Sequence, residues 1–289
     1  NFKAIKNKRE IENMKLAHIY DGSALTKYLF WVKKNFKKKV ITELSGSQKL
    51  YQFRKVNKKF KFSSFPTISG TGPNGAIIHY KATRYSNRKL KNGDIYLVDS
   101  GGQYEYGTTD VTRTISLNNS SEKIKNIYTR VLKGHIAVAN FKLKKNTTGS
   151  IIDNKARQFL KQIGLNYSHG TGHGVGYFLN VHEGPQSISK NNKIKLEEGM
   201  ILSNEPGYYE KDKFGIRIEN LIYIKRKNKK NCFENLTMAP IDKGLINKSL
   251  MSSKEKKWLN TYHQKVFQKL KNSMSKNELV ELREACSAI

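Results

Sequence analysis

The sequence predicts an α+β fold made of two similar helix-and-hairpin halves related by pseudo-two-fold symmetry. Three observations carry that expectation. Apolar residues recur at helical spacing in several separate stretches. Strand-like runs rich in β-branched residues occur as two hairpin pairs. Finally, Gly93-Asp-Ile-Tyr-Leu-Val-Asp-Ser-Gly can be laid over Gly199-Met-Ile-Leu-Ser-Asn-Glu-Pro-Gly, with Gly93 on Gly199, Asp99 on Glu205 and Gly101 on Gly207 at one offset. In each half an acid follows the glycine at a strand end, and a second acid, Asp110 or Glu219, stands on the return strand.

In chain order, Lys8 to Asn35 is helical by the spacing of Ile11, Met14, Ala17, Ala24, Leu25, Tyr28, Leu29 and Val32. Ser45 reads as the N-cap of a second helix through Phe53. Phe65 to Tyr80 carries Pro and several Gly and reads as irregular chain leading into a strand at Ala76-Ile-Ile-His-Tyr. Ile95 to Ser100 and Asp110 to Leu117 are strands joined by a hairpin, and Ile124 to Asn140 and Ile151 to Ile163 are helices. Met200 to Asn204 and Gly215 to Ile224 form the second hairpin. From Leu250 to Ile289 the chain is a helical tail, with Trp258, Leu259, Tyr262, Val266 and Leu270 on one face. The expected division is a main unit over 1–235 and a small helical extension over 236–289.

At 289 residues and 37% hydrophobic content the chain can bury a large core. Its formal net charge is +31, from lysines spread along the whole chain. A nucleic-acid reader more often localises Arg in a stripe, so no specific nucleic-acid partner is expected. No run approaches a membrane span and no signal peptide is visible. Cys232 and Cys286 lack metal-knuckle spacing, which suits a reducing, cytoplasmic setting.

In so basic a chain, acids inside apolar strand-like runs need an explanation. Asp99, Asp110, Glu205 and Glu219, with His173 from His169-Gly-Thr-Gly-His-Gly-Val-Gly, form such a set. Paired acids on neighbouring strands repel unless cations compensate them. Four carboxylates and one imidazole are ligands enough for two divalent ions. His79, His169 and His182 also lie in Gly-rich or apolar segments, and Arg217 stands two residues before Glu219, on the same strand face, where it can brace a carboxylate.

These segments resemble the pita-bread metallopeptidases, and within them the three-domain, eukaryote-type branch of the Xaa-Pro aminopeptidases. The resemblance rests on the order Asp99, Asp110, His173, Glu205, Glu219, on Val181-His-Glu-Gly-Pro, and on the tail around Trp258-Leu-Asn-Thr-Tyr-His-Gln. It implies the pita-bread fold, with Asp110 and Glu219 as bridging ligands, His173 and Glu205 completing one metal site and Asp99 the other. It implies manganese, with cobalt or zinc able to use the same ligands, and a hydroxide held between the ions that cleaves the first bond of peptides with proline second. His79, His169, His182, Glu205 and Arg217 are then the accessory catalytic residues, with the three histidines also touching substrate. A homodimer belongs to the same pattern. The chain begins at Asn1, near the first helix of the catalytic domain, so the N-terminal domains of that branch are expected to be absent from it. A prolidase of the same fold, or a metal-free binding protein on this scaffold, are the alternative readings.

Overall fold

The computed structural model describes residues 2–289. Its first half runs α1 (Lys8–Asn35), α2 (Glu43–Lys55), β1 (Phe60–Ser63), β2 (Ile68–Thr71), β3 (Ile95–Ser100), β4 (Gly102–Tyr104), β5 (Gly107–Thr108) and β6 (Val111–Ser116). The second runs α3 (Glu122–Ala139), α4 (Gly149–Lys161), β7 (Gly172–His173), β8 (Ser187–Ile188), β9 (Ile201–Asn204), β10 (Gly207–Glu210), β11 (Phe214–Arg217), β12 (Asn220–Lys227) and β13 (Lys230–Asn235). Helices α5 (Ser253–Leu270) and α6 (Lys276–Ala285) close the chain. No helix among the described residues is long and apolar enough to cross a membrane.

The internal echo is a structural duplication, and it reaches further than the hairpins. In the first half β3 pairs antiparallel with β2 and β6; in the second β9 pairs with β12 and bridges to Gly174. Thr42 bridges Lys89 as Thr148 bridges Lys195, each partner 106 residues after its counterpart. Thr42 and Thr148 also precede α2 and α4 as their N-caps. Gly93 and Gly199 share a left-handed backbone, φ 86° and 88°, that favours glycine, and each amide donates to the returning chain, at Leu117 O and Ile224 O. His173 thus sits on the second half's counterpart of β2.

Several local expectations shift. The cap of α2 is Thr42, not Ser45; Ser45 is the reciprocal partner, its Oγ accepting from the Thr42 amide at 2.8 Å. The run Ala76 to Tyr80 is not a strand. It turns out of a short 3₁₀ segment, Gly72–Ala76, because the Tyr80 hydroxyl is drawn inward to Glu43 at 2.8 Å. Gly215 to Ile224 is two strands: β11 pairs with β10 and β12 with β9, and the chain changes partner at Ile218 and Glu219. The C-terminal tail is two helices, each opened by a Ser capping box.

Apolar faces of α3, α5 and β11 share one core, in which Ile127, Leu132, Ile216, Leu259, Val266 and Leu270 are buried. Behind the strand ends, the fully buried Arg113 of β6 ties the halves to the tail. It donates to Glu219 O at 2.6 Å, Asn220 Oδ1 at 2.8 Å, Ala239 O at 2.8 Å and Tyr262 Oη at 2.9 Å. Beneath β3, Arg54 of α2 pairs with Asp21 of α1 at 2.7 Å and donates to Ser100 Oγ at 3.0 Å, while Tyr104 donates to Asp21 at 2.9 Å. Both ions are buried. Asp21→Ala leaves Arg54 an unpaired buried cation and is expected to cost about 3–5 kcal/mol in denaturant unfolding; a loss below about 1 kcal/mol contradicts this role.

Candidate metal centre

The strand ends of the two halves converge on one point. Asp99 stands at the end of β3, opposite Ile68 and Thr112, and Asp110 immediately precedes β6. Glu205 follows β9, its amide donating to Thr171 O at 2.8 Å, and Glu219 precedes β12, its amide donating across the pseudo-symmetry to Thr112 O at 3.2 Å. His173 enters from β7, its amide donating to Ser203 Oγ at 2.8 Å. Three sets have one ligand atom per residue within 4.8 Å of one another: Asp99, Asp110 and Glu219; His173, Glu205 and Glu219; and Asp110, His173 and His182. Asp110, Glu219 and His173 each occur twice. A carboxylate has two oxygens with which to bridge, whereas His173 has one free nitrogen.

That nitrogen is identifiable. His173 Nδ1 lies 2.9 Å from Gly174 O, which only accepts, so the proton is on Nδ1. Nε2 then aims its lone pair at Asp110 Oδ2, 3.3 Å away, and Glu205 Oε1, 3.4 Å away. With the carboxyls deprotonated, three acceptors converge on one point, an arrangement that a divalent cation satisfies. Asp99 makes the same point: Oδ2 accepts from Arg217 Nη2 at 2.6 Å, while Oδ1 is buried with no partner. Thr112 Oγ1 donates to Glu219 Oε2 at 2.7 Å, and Ser203 Oγ to Glu205 Oε1 at 3.0 Å. The donor set fits divalent cations, with Arg217, Ser203 and Thr112 each holding one oxygen of Asp99, Glu205 and Glu219.

Burial raises the carboxyls of Asp110 and Glu219 well above the ordinary range, with the neighbouring acids adding to the effect; burial raises Glu205 as well. Without metal, the folded chain therefore holds protons that the unfolded chain has released. That contribution to stability is present at low pH and is lost as pH rises through the raised folded values. A divalent ion takes the deprotonated set, so binding releases protons and tightens as pH rises. Calorimetry in buffers of different ionisation enthalpy is expected to show about one or more protons released per chain loaded; no release, with affinity independent of pH, contradicts the assignment.

The cluster floors a cavity of about 440 Å³. Phe65, Pro66, Ile68, Ile78 and Val181 form its apolar wall, and His79, His169, His182 and Arg217 also line it. His182 lies against His173, ring centroids 4.0 Å apart and planes tilted by 55°, and desolvation, with His173 beside it, lowers it to about 4. Desolvation, followed by the Arg217 charge, lowers His169 to about 4 as well, so the ring is neutral near neutrality. Its Nδ1 lies 2.7 Å from Gly170 O and its Nε2 2.9 Å from Tyr209 Oη, which accepts from Arg217 Nη1 at 2.6 Å. Both nitrogens of His169 are thus engaged.

All the residues singled out in the sequence meet at this cavity. Tyr209, Thr112 and Ser203 were not singled out. Tyr209 reaches Arg217 because Gly207 pairs with Arg217 on the neighbouring strand, a diagonal relation visible only once the β10–β11 register is known. Thr112 and Ser203 carry no signal beyond flanking the acids.

Residues 12–226 match the model of metallopeptidase family M24, and residues 230–289 match the C-terminal region of peptidase M24. The chain is 46% identical to a probable Xaa-Pro aminopeptidase P of Laccaria bicolor, covering 100% of this chain and 47% of that protein. The X-prolyl aminopeptidase of Caenorhabditis elegans, a cytosolic enzyme with a di-nuclear active site, superposes with a TM-score of 0.96 at 38% identity, over 100% of this chain and 49% of that one. The prolidase of Pyrococcus horikoshii superposes with a TM-score of 0.73 at 28% identity, over 83% of this chain and 65% of that one. The chain thus spans about half the length of the aminopeptidases it matches. Duplicated halves, five side chains able to hold metal at their junction and a family match across most of its length agree: this chain belongs to metallopeptidase family M24.

Proposed function

We propose that this chain is the catalytic part of a metal-dependent aminopeptidase that removes the N-terminal residue from peptides with proline in the second position. The observation that carries this reading is the convergence of four carboxylates and His173 on the floor of a cleft with an apolar wall. The aminopeptidase relatives support it. In this reading residues 1–235 form the catalytic unit and 236–289 a helical extension. A cytoplasmic location and a homodimer belong to the same reading, the former supported by two free cysteines.

Asp110 and Glu219 would each hold both ions, Asp99 completing one site and His173 with Glu205 the other. Manganese suits a set of oxygens with one imidazole. Bound there, two such ions supply the Lewis acidity that makes water a usable nucleophile near neutral pH. The residues do the rest. Arg217 fixes Asp99 through Oδ2 and leaves Oδ1 for a ligand. Glu205, whose carboxyl burial raises, takes the proton of the attacking water and passes it to the leaving nitrogen. That nitrogen is a proline's, a tertiary amide that departs only when protonated. The apolar wall takes the proline ring, whose fixed φ lets it bind at small entropic cost. His182 and His79 meet the residues beyond the scissile bond. His169 bears on the reacting carbonyl through Tyr209, whose hydroxyl donates to its Nε2 while Nδ1 keeps the ring proton toward Gly170 O.

Substrate length tests the choice within the fold. A tripeptide Xaa-Pro-Yaa is expected to be cleaved to free Xaa, and the dipeptide Xaa-Pro much more slowly. Preference for the dipeptide assigns a prolidase instead.

A further inference from the structure

Outside the ligand cluster, one further buried carboxylate gathers donors from a single segment that borders the cleft. Glu43, the first residue of α2, has no exposed surface. Four donor groups converge on it. The Thr71 amide donates to Oε1 at 2.8 Å, the Arg88 amide to Oε2 at 2.9 Å and the Tyr80 hydroxyl to Oε2 at 2.8 Å. Asn74 Nδ2 lies 3.1 Å from Oε1 and 2.9 Å from Oε2. No ion pair among the described residues involves Glu43; its oxygens are met by oriented dipoles, including the N-terminus of α2.

All four donors lie in or beside one segment. Residues 72–88 leave the end of β2, turn through the 3₁₀ segment, and return to α2, where Glu43 N donates to Arg88 O at 3.0 Å. This segment delivers Ile78, His79, Tyr80 and Lys81 to the cleft. Asn74 and Tyr80 bracket His79 in sequence, and both are pinned to the same carboxylate. His79 itself is exposed and has nothing comparable of its own to hold it.

The duplication supplies a control. The position 106 residues after Glu43 is Gly149, where a Cβ would stand 1.7 Å from Ser187 O. The second half has no room for any side chain there. The carboxylate is therefore no requirement of the repeated architecture; it belongs to the half that carries His79.

We propose that Glu43 is the positioning residue for His79: its carboxylate gathers the 72–88 segment and thereby sets where His79 faces the cleft. The proposal rests on the peptidase reading only in giving His79 a role in turnover. Its first effect is mechanical and can be read without activity.

Glu43→Gln keeps the shape but must turn its NH₂ toward either the Thr71 or the Arg88 amide, which only donate, so one of the two loses its acceptor. Hydrogen exchange of the full chain is expected to accelerate about tenfold in peptides covering 71–88 and to stay unchanged over 95–116. On Xaa-Pro-Yaa, kcat/KM is expected to fall about tenfold with bound metal unchanged. In a His79→Ala background the same substitution should cost less than about twofold, because its target is already gone. Tyr80→Phe, which removes one donor and keeps Glu43, should show the same pattern more weakly and serves if Glu43→Gln fails to fold. Unchanged exchange over 71–88 in the folded variant overturns the proposal, as does an equal loss of kcat/KM with and without His79. If the unmodified chain does not cleave the tripeptide, the peptidase reading fails, and exchange alone decides whether Glu43 holds the segment.

Discussion

Asp110→Ala and Glu219→Ala each abolish two-metal binding, and calorimetry with Mn²⁺ finds at most one weakly held ion per chain. Each carboxylate falls in two of the ligand groups, and each has two oxygens to share. Removing either strips a ligand from both positions at once, whereas Asp99→Ala or Glu205→Ala removes a ligand from one. Peptide hydrolysis by Asp110→Ala should fall by at least about a thousandfold, since Lewis-acid stabilisation contributes several kcal/mol to such a step. The two variants should also fold. Metal-free, these carboxyls are buried and crowded, so deleting one relieves repulsion. Normal affinity for two Mn²⁺ in either variant sinks the ligand assignment.

His169→Ala separates chemistry from metal binding. The ring belongs to none of the ligand groups and is instead held by Gly170 O and Tyr209. Two Mn²⁺ should bind the variant with affinity close to that of the parent, while kcat on an Xaa-Pro-Yaa tripeptide falls about a hundredfold, the usual loss when one group stabilising an oxyanion is deleted. Unchanged turnover removes His169 from the mechanism. Lost metal with lost turnover in proportion makes it a support of the centre. Because the ring is neutral down to about pH 4, no His169 ionisation should appear in the rate profile between weakly acidic and neutral pH.

The parts of this protein that the sequence makes legible are those where local chemistry and global architecture agree. Helix α1 was readable to its bounds because its apolar stripe is long and its ends are plain. The repeat was readable because Gly93 and Gly199 both need a left-handed backbone and the acids follow at matching distances. The five proposed ligands stood out as acids and an imidazole in segments otherwise apolar or rich in glycine. Where tertiary contacts decide, local signals failed. Ala76 to Tyr80 has strand composition, yet a carboxylate more than thirty residues upstream pulls Tyr80 inward and the segment turns. The break at Ile218 and Glu219 is set by a change of strand partner, which no local pattern encodes. Tyr209 gains its place between Arg217 and His169 from register alone, and Arg113, which looks like an ordinary strand arginine, is the buried tie between both halves and the tail.

The central claim is that two ions held at the junction of the halves make this chain an aminopeptidase acting before proline. Its most direct test is to strip the protein with a chelator and follow release of Xaa from Xaa-Pro-Yaa as Mn²⁺ is returned in known amounts. The ligand geometry predicts no hydrolysis without metal and recovery that levels off at two ions per chain. Full hydrolysis by the stripped protein, or no hydrolysis with two ions bound, would contradict it.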